Sequence, residues 1–177
     1  LKVGDLLDER VLDAGDPYAP LLDALAAKRV VVFDTETTGL DPYSDEIVEI
    51  AAARCGPSSV EATFHEFLKP SRPVGESEAI HGWSDAYLVE HGREPEQVLA
   101  EFLAFCEGTV LCGHNSQAYD IPILRESLNR AGLFPDGDFG MTFDTLDITR
   151  RFHRLPRYRL SQIAESLGLK SVPTHQA

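Results

Sequence analysis

Apolar residues run unbroken through Val30-Val31-Val32-Phe33, meet Asp34 and Glu36, and stop at Thr37-Thr38-Gly39. That pattern predicts a buried strand that surfaces at its C-terminal end. After the Asp41-Pro42-Tyr43-Ser44 turn, residues 47–53 read as a second strand, and after Gly56-Pro57 residues 60–68 alternate as a third. The short links between the three predict an antiparallel meander. Helical spacing takes over elsewhere: Leu21, Leu22, Leu25 and Ala26 ahead of Lys28-Arg29, then Val98, Leu99, Phe102, Leu103 and Phe105 within 94–107. Ile121, Leu124 and Leu128 mark a helix over 117–131, and Leu160, Ile163, Ala164 and Leu167 mark one stopped by Gly168. A short apolar strand at 109–112 and a further element opening at Phe143-Asp144-Thr145-Leu146 complete the pattern, while 69–93, rich in Pro and Gly, reads as loop with short helices. Three strands followed by alternating helix and strand predict an α/β layered fold with a mixed sheet.

Composition narrows the class. With 177 residues, 43% of them hydrophobic, the chain is long enough for one domain with a sizeable core. No apolar run reaches membrane-spanning length and no charged-then-apolar N-terminal segment suggests export, so a soluble cytosolic protein is expected. Cys55, Cys106 and Cys112 are odd in number and set in apolar surroundings, which predicts free buried thiols rather than disulfides. The chain begins at Leu1 rather than Met and stops at Ala177, as a piece of a longer polypeptide would.

A formal net charge of −13 argues against a protein that coats nucleic acid with a broad basic surface. It leaves room for one that grips a strand end through metal ions, whose charge offsets clustered carboxylates. Arg150, Arg151, Arg154, Arg157 and Arg159 form the one dense basic stretch, which suits either phosphate contact or a solvated helix end.

Side chains alternate along a strand, so Asp34 and Glu36 must leave the first strand on the same face. Two like charges so held repel, and a hard divalent cation such as magnesium or manganese would relieve them. A strand ending in a solvated polar turn explains the pair equally well. Asp120, reached through His114-Asn115-Ser116-Gln117-Ala118-Tyr119, falls in the first turn of a predicted helix, where the helix dipole alone favours an acid. His175 sits in a polar segment after Gly168, where a histidine is ordinarily surface.

Taken in order, Asp34-x-Glu36-Thr37-Thr38-Gly39, then His114-Asn115 leading to Asp120, then His175-x-Ala177 resembles the three motifs of the DEDDh, or DnaQ-like, 3′-to-5′ exonuclease family. That family includes the proofreading epsilon subunit of bacterial DNA polymerase III. Ile80-His81-Gly82, Asp144-Thr145-Leu146 through Arg150-Arg151, and Tyr158-Arg159-Leu160 through Leu169 resemble its secondary elements, so the likeness covers residues 30–177. The family's last motif continues to a fourth carboxylate that would fall three positions past Ala177. The expected organisation is therefore an arm or linker with a short helix over 1–28 and a C-terminally incomplete exonuclease domain over 29–177.

The resemblance implies an RNase H-like mixed five-stranded sheet flanked by helices. It also implies hydrolysis at single-stranded DNA 3′ ends, with release of nucleoside 5′-monophosphates. Two divalent cations, Mg2+ or Mn2+, would be held by Asp34, which bridges both, by Glu36 with the fourth carboxylate, and by Asp120 through water. His175 would be the general base. Thr37, Leu40, His81 and Asn115 would receive the terminal nucleotide, and Asp144 would orient a neighbour rather than bind metal. The expected setting is a polymerase, helicase or repair protein, fused or associated, away from any membrane. An exoribonuclease trimming RNA 3′ ends and a non-catalytic docking module that kept the fold are the alternatives.

Overall fold

A computed structural model describes residues 15–133 and 139–169. Strand β1 (Val30–Thr37) lies at the centre of a five-stranded sheet of order β3-β2-β1-β4-β5. β2 (Ile47–Cys55) and β3 (Val60–Phe67) join it as the expected antiparallel meander, whereas β4 (Val110–Gly113) and β5 (Thr142–Asp144) run parallel to β1. The sheet is thus mixed, and with helices on its faces it has the RNase H-like architecture.

Alternation along β1 decides which layer each residue joins. Val31 and Phe33 enter a core with Phe102, Leu124 and Leu128, supplied by helices α4 (Pro95–Cys106) and α5 (Asp120–Arg130). Val30 faces the opposite layer, where helix α1 (Ala19–Ala26) buries Leu21, Ala24 and Leu25 beside Phe143 and Ile148. Pro20 and Pro95 open α1 and α4 at positions where a missing N–H costs nothing. The region predicted as loop with short helices holds a 3₁₀ turn at Gly75–Ser77, then α2 (Glu78–His81) and α3 (Asp85–His91). Helices α6 (Thr145–Phe152) and α7 (Leu160–Ser166) follow β5. All three cysteines are free, but only Cys112 is buried; Cys55 and Cys106 are half-buried. Among the described residues no helix is long and apolar enough to cross a membrane.

One boundary departs from the sequence pattern. The helix expected from 117 begins only at Asp120, because Asp144 supplies another partner for the preceding backbone. Its carboxylate accepts hydrogen bonds from the N–H groups of Asn115 at 2.8 Å, Gln117 at 3.1 Å and Leu146 at 2.8 Å. Asn115 takes a left-handed conformation, φ 60°, one of the few an asparagine tolerates. Asp144 therefore caps α6 and shapes the turn before α5 at once, the orienting role expected of it.

The same turn crosses β1 closely. A Cβ added at Gly113 would lie 2.5 Å from the Ser116 Cβ and 3.2 Å from the Phe33 carbonyl oxygen. Gly113→Ala is accordingly expected to lower stability by about 1–3 kcal/mol through overpacking, read as a fall in the denaturant midpoint. An unchanged midpoint would show that the turn yields freely.

Candidate active site

The C-terminal end of β1 presents Asp34 and Glu36 on one face and Thr35 between them on the other. Thr35 reaches across to the start of α5: its N–H donates to Asp120 Oδ1 at 3.0 Å and its hydroxyl donates to the same oxygen at 2.6 Å. Eighty-five residues separate these partners in sequence. The join brings Asp120 to the same cleft as Asp34 and Glu36, a cavity of about 220 Å³ also lined by Thr37, Leu40 and His81.

Electrostatics mark these acids apart from those elsewhere on the surface. Glu36 is pushed from 4.5 to about 7, first by burial and then by the charges of Asp34, Glu49 and Asp120. Asp120 is raised to about 6, chiefly by burial, with Asp34 adding and the Thr35 hydrogen bonds opposing. Asp34 is also raised, mainly by desolvation, with Glu49 adding to the rise and His114 opposing it. Like charges are therefore concentrated at one rim, and among the described residues the only ionisable group that opposes them is His114, at Asp34.

Glu49 is the residue the sequence reading missed. It stands opposite Glu36 in the β1–β2 register and is fully buried. Its Oε2 accepts from the Trp83 indole at 2.6 Å, and its Oε1 lies 2.6 Å from His65 Nε2. Those partners compensate its burial, and the Trp83 bond ties β2 to the segment that follows α2, whose Ile80 and His81 line the cleft. The available signal was an acid inside the apolar run Ile47-Val48-Glu49-Ile50. Thr35 carried no signal, since its role exists only once α5 is docked.

The remaining candidates fall out unevenly. Thr37 lines the cleft and donates its hydroxyl to the Gly39 carbonyl at 2.6 Å, while Leu40 stands 75% exposed at the rim. His81 also lines the cleft, but its ring is buried and engaged. Nδ1 accepts from the Trp83 N–H at 3.0 Å, and Nε2 lies 3.1 Å from the Ser77 hydroxyl. Burial lowers its pKa below the ordinary 6.5. Asn115 is not brought to the cleft; its backbone serves the Asp144 turn. His175 lies outside the described residues. Ile80 and Tyr119, 68% and 46% exposed, join Leu40 as apolar surface around the acids.

Among the described residues no group of three or more His, Cys, Asp and Glu side chains is arranged to hold a metal ion. The donor set nonetheless has the chemistry for a hard divalent cation: carboxylate oxygens only, raised in pKa first by burial and then by one another's charge.

A family model described as Exonuclease, RNase_T, matches residues 31–177. The chain belongs to the exonuclease family. Curated relatives of this exonuclease-family chain include the PolC-type DNA polymerase III of Thermotoga maritima, 36% identical over 149 residues that make up 83% of the chain and 10% of the relative. The PolC-type polymerase of Lacticaseibacillus paracasei is 32% identical over 174 residues, 94% of the chain and 12% of the relative. The chain thus spans about a tenth of the length of these polymerases. Among solved structures, E. coli Exonuclease I in complex with a dA16 oligonucleotide superposes with a TM-score of 0.73 at 19% identity, over 84% of this chain and 37% of that one. Exonuclease I from Methylocaldum szegediense gives 0.71 at 20% identity, with the same coverage of 84% and 37%. At those identities the structures establish a shared fold.

A carboxyl whose pKa is higher folded than unfolded lends stability that is complete below the unfolded value and lost as pH rises through the folded one. For Glu36 that window runs from 4.5 to about 7. In chelating buffer the melting temperature is expected to fall across it, and Glu36→Gln to shrink the fall. A decline of the same size in the variant would contradict the placement of Glu36 among like charges.

Proposed function

We propose that this chain is a metal-dependent 3′-to-5′ exonuclease that hydrolyses phosphodiester bonds at single-stranded DNA 3′ ends and releases nucleoside 5′-monophosphates. The observation that carries the reading is the convergence of Asp34, Glu36 and Asp120 on one cleft, with Glu36 and Asp120 raised by burial and mutual repulsion. Asp34 and Glu36 would hold a pair of Mg2+ or Mn2+ ions together with Asp120, whose Oδ1 Thr35 keeps in place. Bound there, such ions supply charge neutralisation at the phosphate and at the leaving oxygen.

The chain's own groups do the rest. The exposed apolar surfaces of Leu40, Ile80 and Tyr119 would give the terminal bases something to lie against, and the backbone of Thr37, which lines the same cleft, would receive the 3′-hydroxyl. His81, its ring engaged within its own loop, holds the wall carrying Ile80. His175 is assigned as the base that takes the proton of the attacking water, because an imidazole titrates near neutral pH. Residues 29–177 are assigned to the nuclease domain and 1–28 to an arm. The polymerase relatives and the oligonucleotide complexes of Exonuclease I favour DNA as substrate and a polymerase as the working partner.

With magnesium or manganese, a 5′-labelled single-stranded DNA is expected to shorten stepwise from its 3′ end. Asp34→Asn should slow this by at least about a hundredfold, the scale seen when a group that stabilises developing charge is lost. A strand that stays full length, or a variant as fast as the parent, refutes the assignment, and an RNA of matched sequence run alongside identifies the preferred sugar.

A further inference from the structure

The basic stretch at 150–159 is not absorbed by the cleft. Two of its arginines are used locally. Arg151 reaches Asp16 at 2.8 Å and lies over the Tyr18 and Phe152 rings, and Arg150 lies over the Tyr158 ring, 5.7 Å from its centroid. The other three, Arg154, Arg157 and Arg159, are exposed, and among the described residues no carboxylate comes within ion-pair distance of them. Arg72 and Arg93, by contrast, are each held by carboxylates.

The loop presenting these three cations is stapled by one side chain. The Tyr158 hydroxyl donates to the His153 carbonyl at 3.0 Å and accepts from the Leu155 N–H at 3.3 Å. The loop is also anchored beside the acids: His114 Nε2 donates to the Tyr158 carbonyl at 3.3 Å, and His114, Asp34 and Leu160 line one continuous groove. A pinned loop of uncommitted guanidinium groups, leading into Leu160 in the groove it shares with Asp34, singles out one path for a polyanion in a chain of net charge −13.

We propose that Arg154, Arg157 and Arg159 form a track for the sugar–phosphate backbone of the single strand whose 3′ end occupies the cleft, an inference that rests on reading the cleft as a nuclease site. Guanidinium groups grip phosphate oxygens in pairs without reading sequence, so the track contributes affinity and direction of entry rather than base preference.

Binding in chelator, where hydrolysis does not occur, isolates the track. The probe is a 5′-fluorescein oligothymidylate of about 20 nucleotides, followed by anisotropy between about 25 and 200 mM salt. Each phosphate contact on a single strand adds about 0.7 to the slope of log Kd against log salt, so replacing all three arginines by Ala is expected to flatten it by about two. Replacing all three by Lys should retain the slope, and both variants should melt with the parent. A slope in the Ala variant equal to the parent's, or an equal loss in the Lys variant, overturns the track. Failure of the nuclease reading shows separately, as DNA left intact with magnesium.

Discussion

The pair of hydrogen bonds from Thr35 to Asp120 holds the site together. Helix α5 follows an irregular turn whose direction the strand before it does not set, so some contact must fix where the helix starts. Thr35 does so from the central strand, between the two acids it separates, and the donors are a backbone N–H and a hydroxyl converging on one oxygen. Asp120 is thereby placed beside Asp34 and Glu36 without pairing with a cation. Asp144 makes an instructive contrast: it also opens a helix, but three backbone N–H groups satisfy it. One aspartate is consumed by the fold, and the other is positioned by it.

The cost of this arrangement is electrostatic. Glu36 and Glu49 face each other across β1 and β2, an opposition that ordinarily destabilises a sheet. Glu49 is relieved by Trp83 and His65, and the Trp83 bond also ties β2 to the segment that follows α2. Among the described residues Glu36 has no such relief, and its pKa is pushed up to about 7. A fold that keeps one carboxylate compensated and leaves its neighbour uncompensated gives up stability at this rim, as functional sites commonly do, and the proposed cation would recover it.

Much of this was legible in the sequence, because the decisive elements are local. The apolar run into Asp34 and Glu36, the meander after it, and the helical stripes of α4 and α5 are patterns of period two or 3.6 that each segment carries by itself. The ordered acids identified the family before any geometry was known. What the sequence did not show depends on contacts between distant segments. The start of α5 slipped from 117 to Asp120 because a carboxylate from β5 competes for the backbone. Asn115 was expected in the cleft and instead has its N–H bound to that same carboxylate. Glu49 was visible as an anomaly, an acid in an apolar strand, but only its Trp83 and His65 partners show how its burial is tolerated.

Asp34 and Glu36 of one strand and Asp120 from a distant helix are proposed to clasp cations at one rim of the sheet. Crystals grown with manganese, measured at its absorption edge, test it most directly. Anomalous density within bonding distance of both Asp34 and Glu36 carboxylates, and on the Asp120 side of them, is the predicted result. Manganese bound elsewhere on this acidic surface, with the cleft bare, would contradict it.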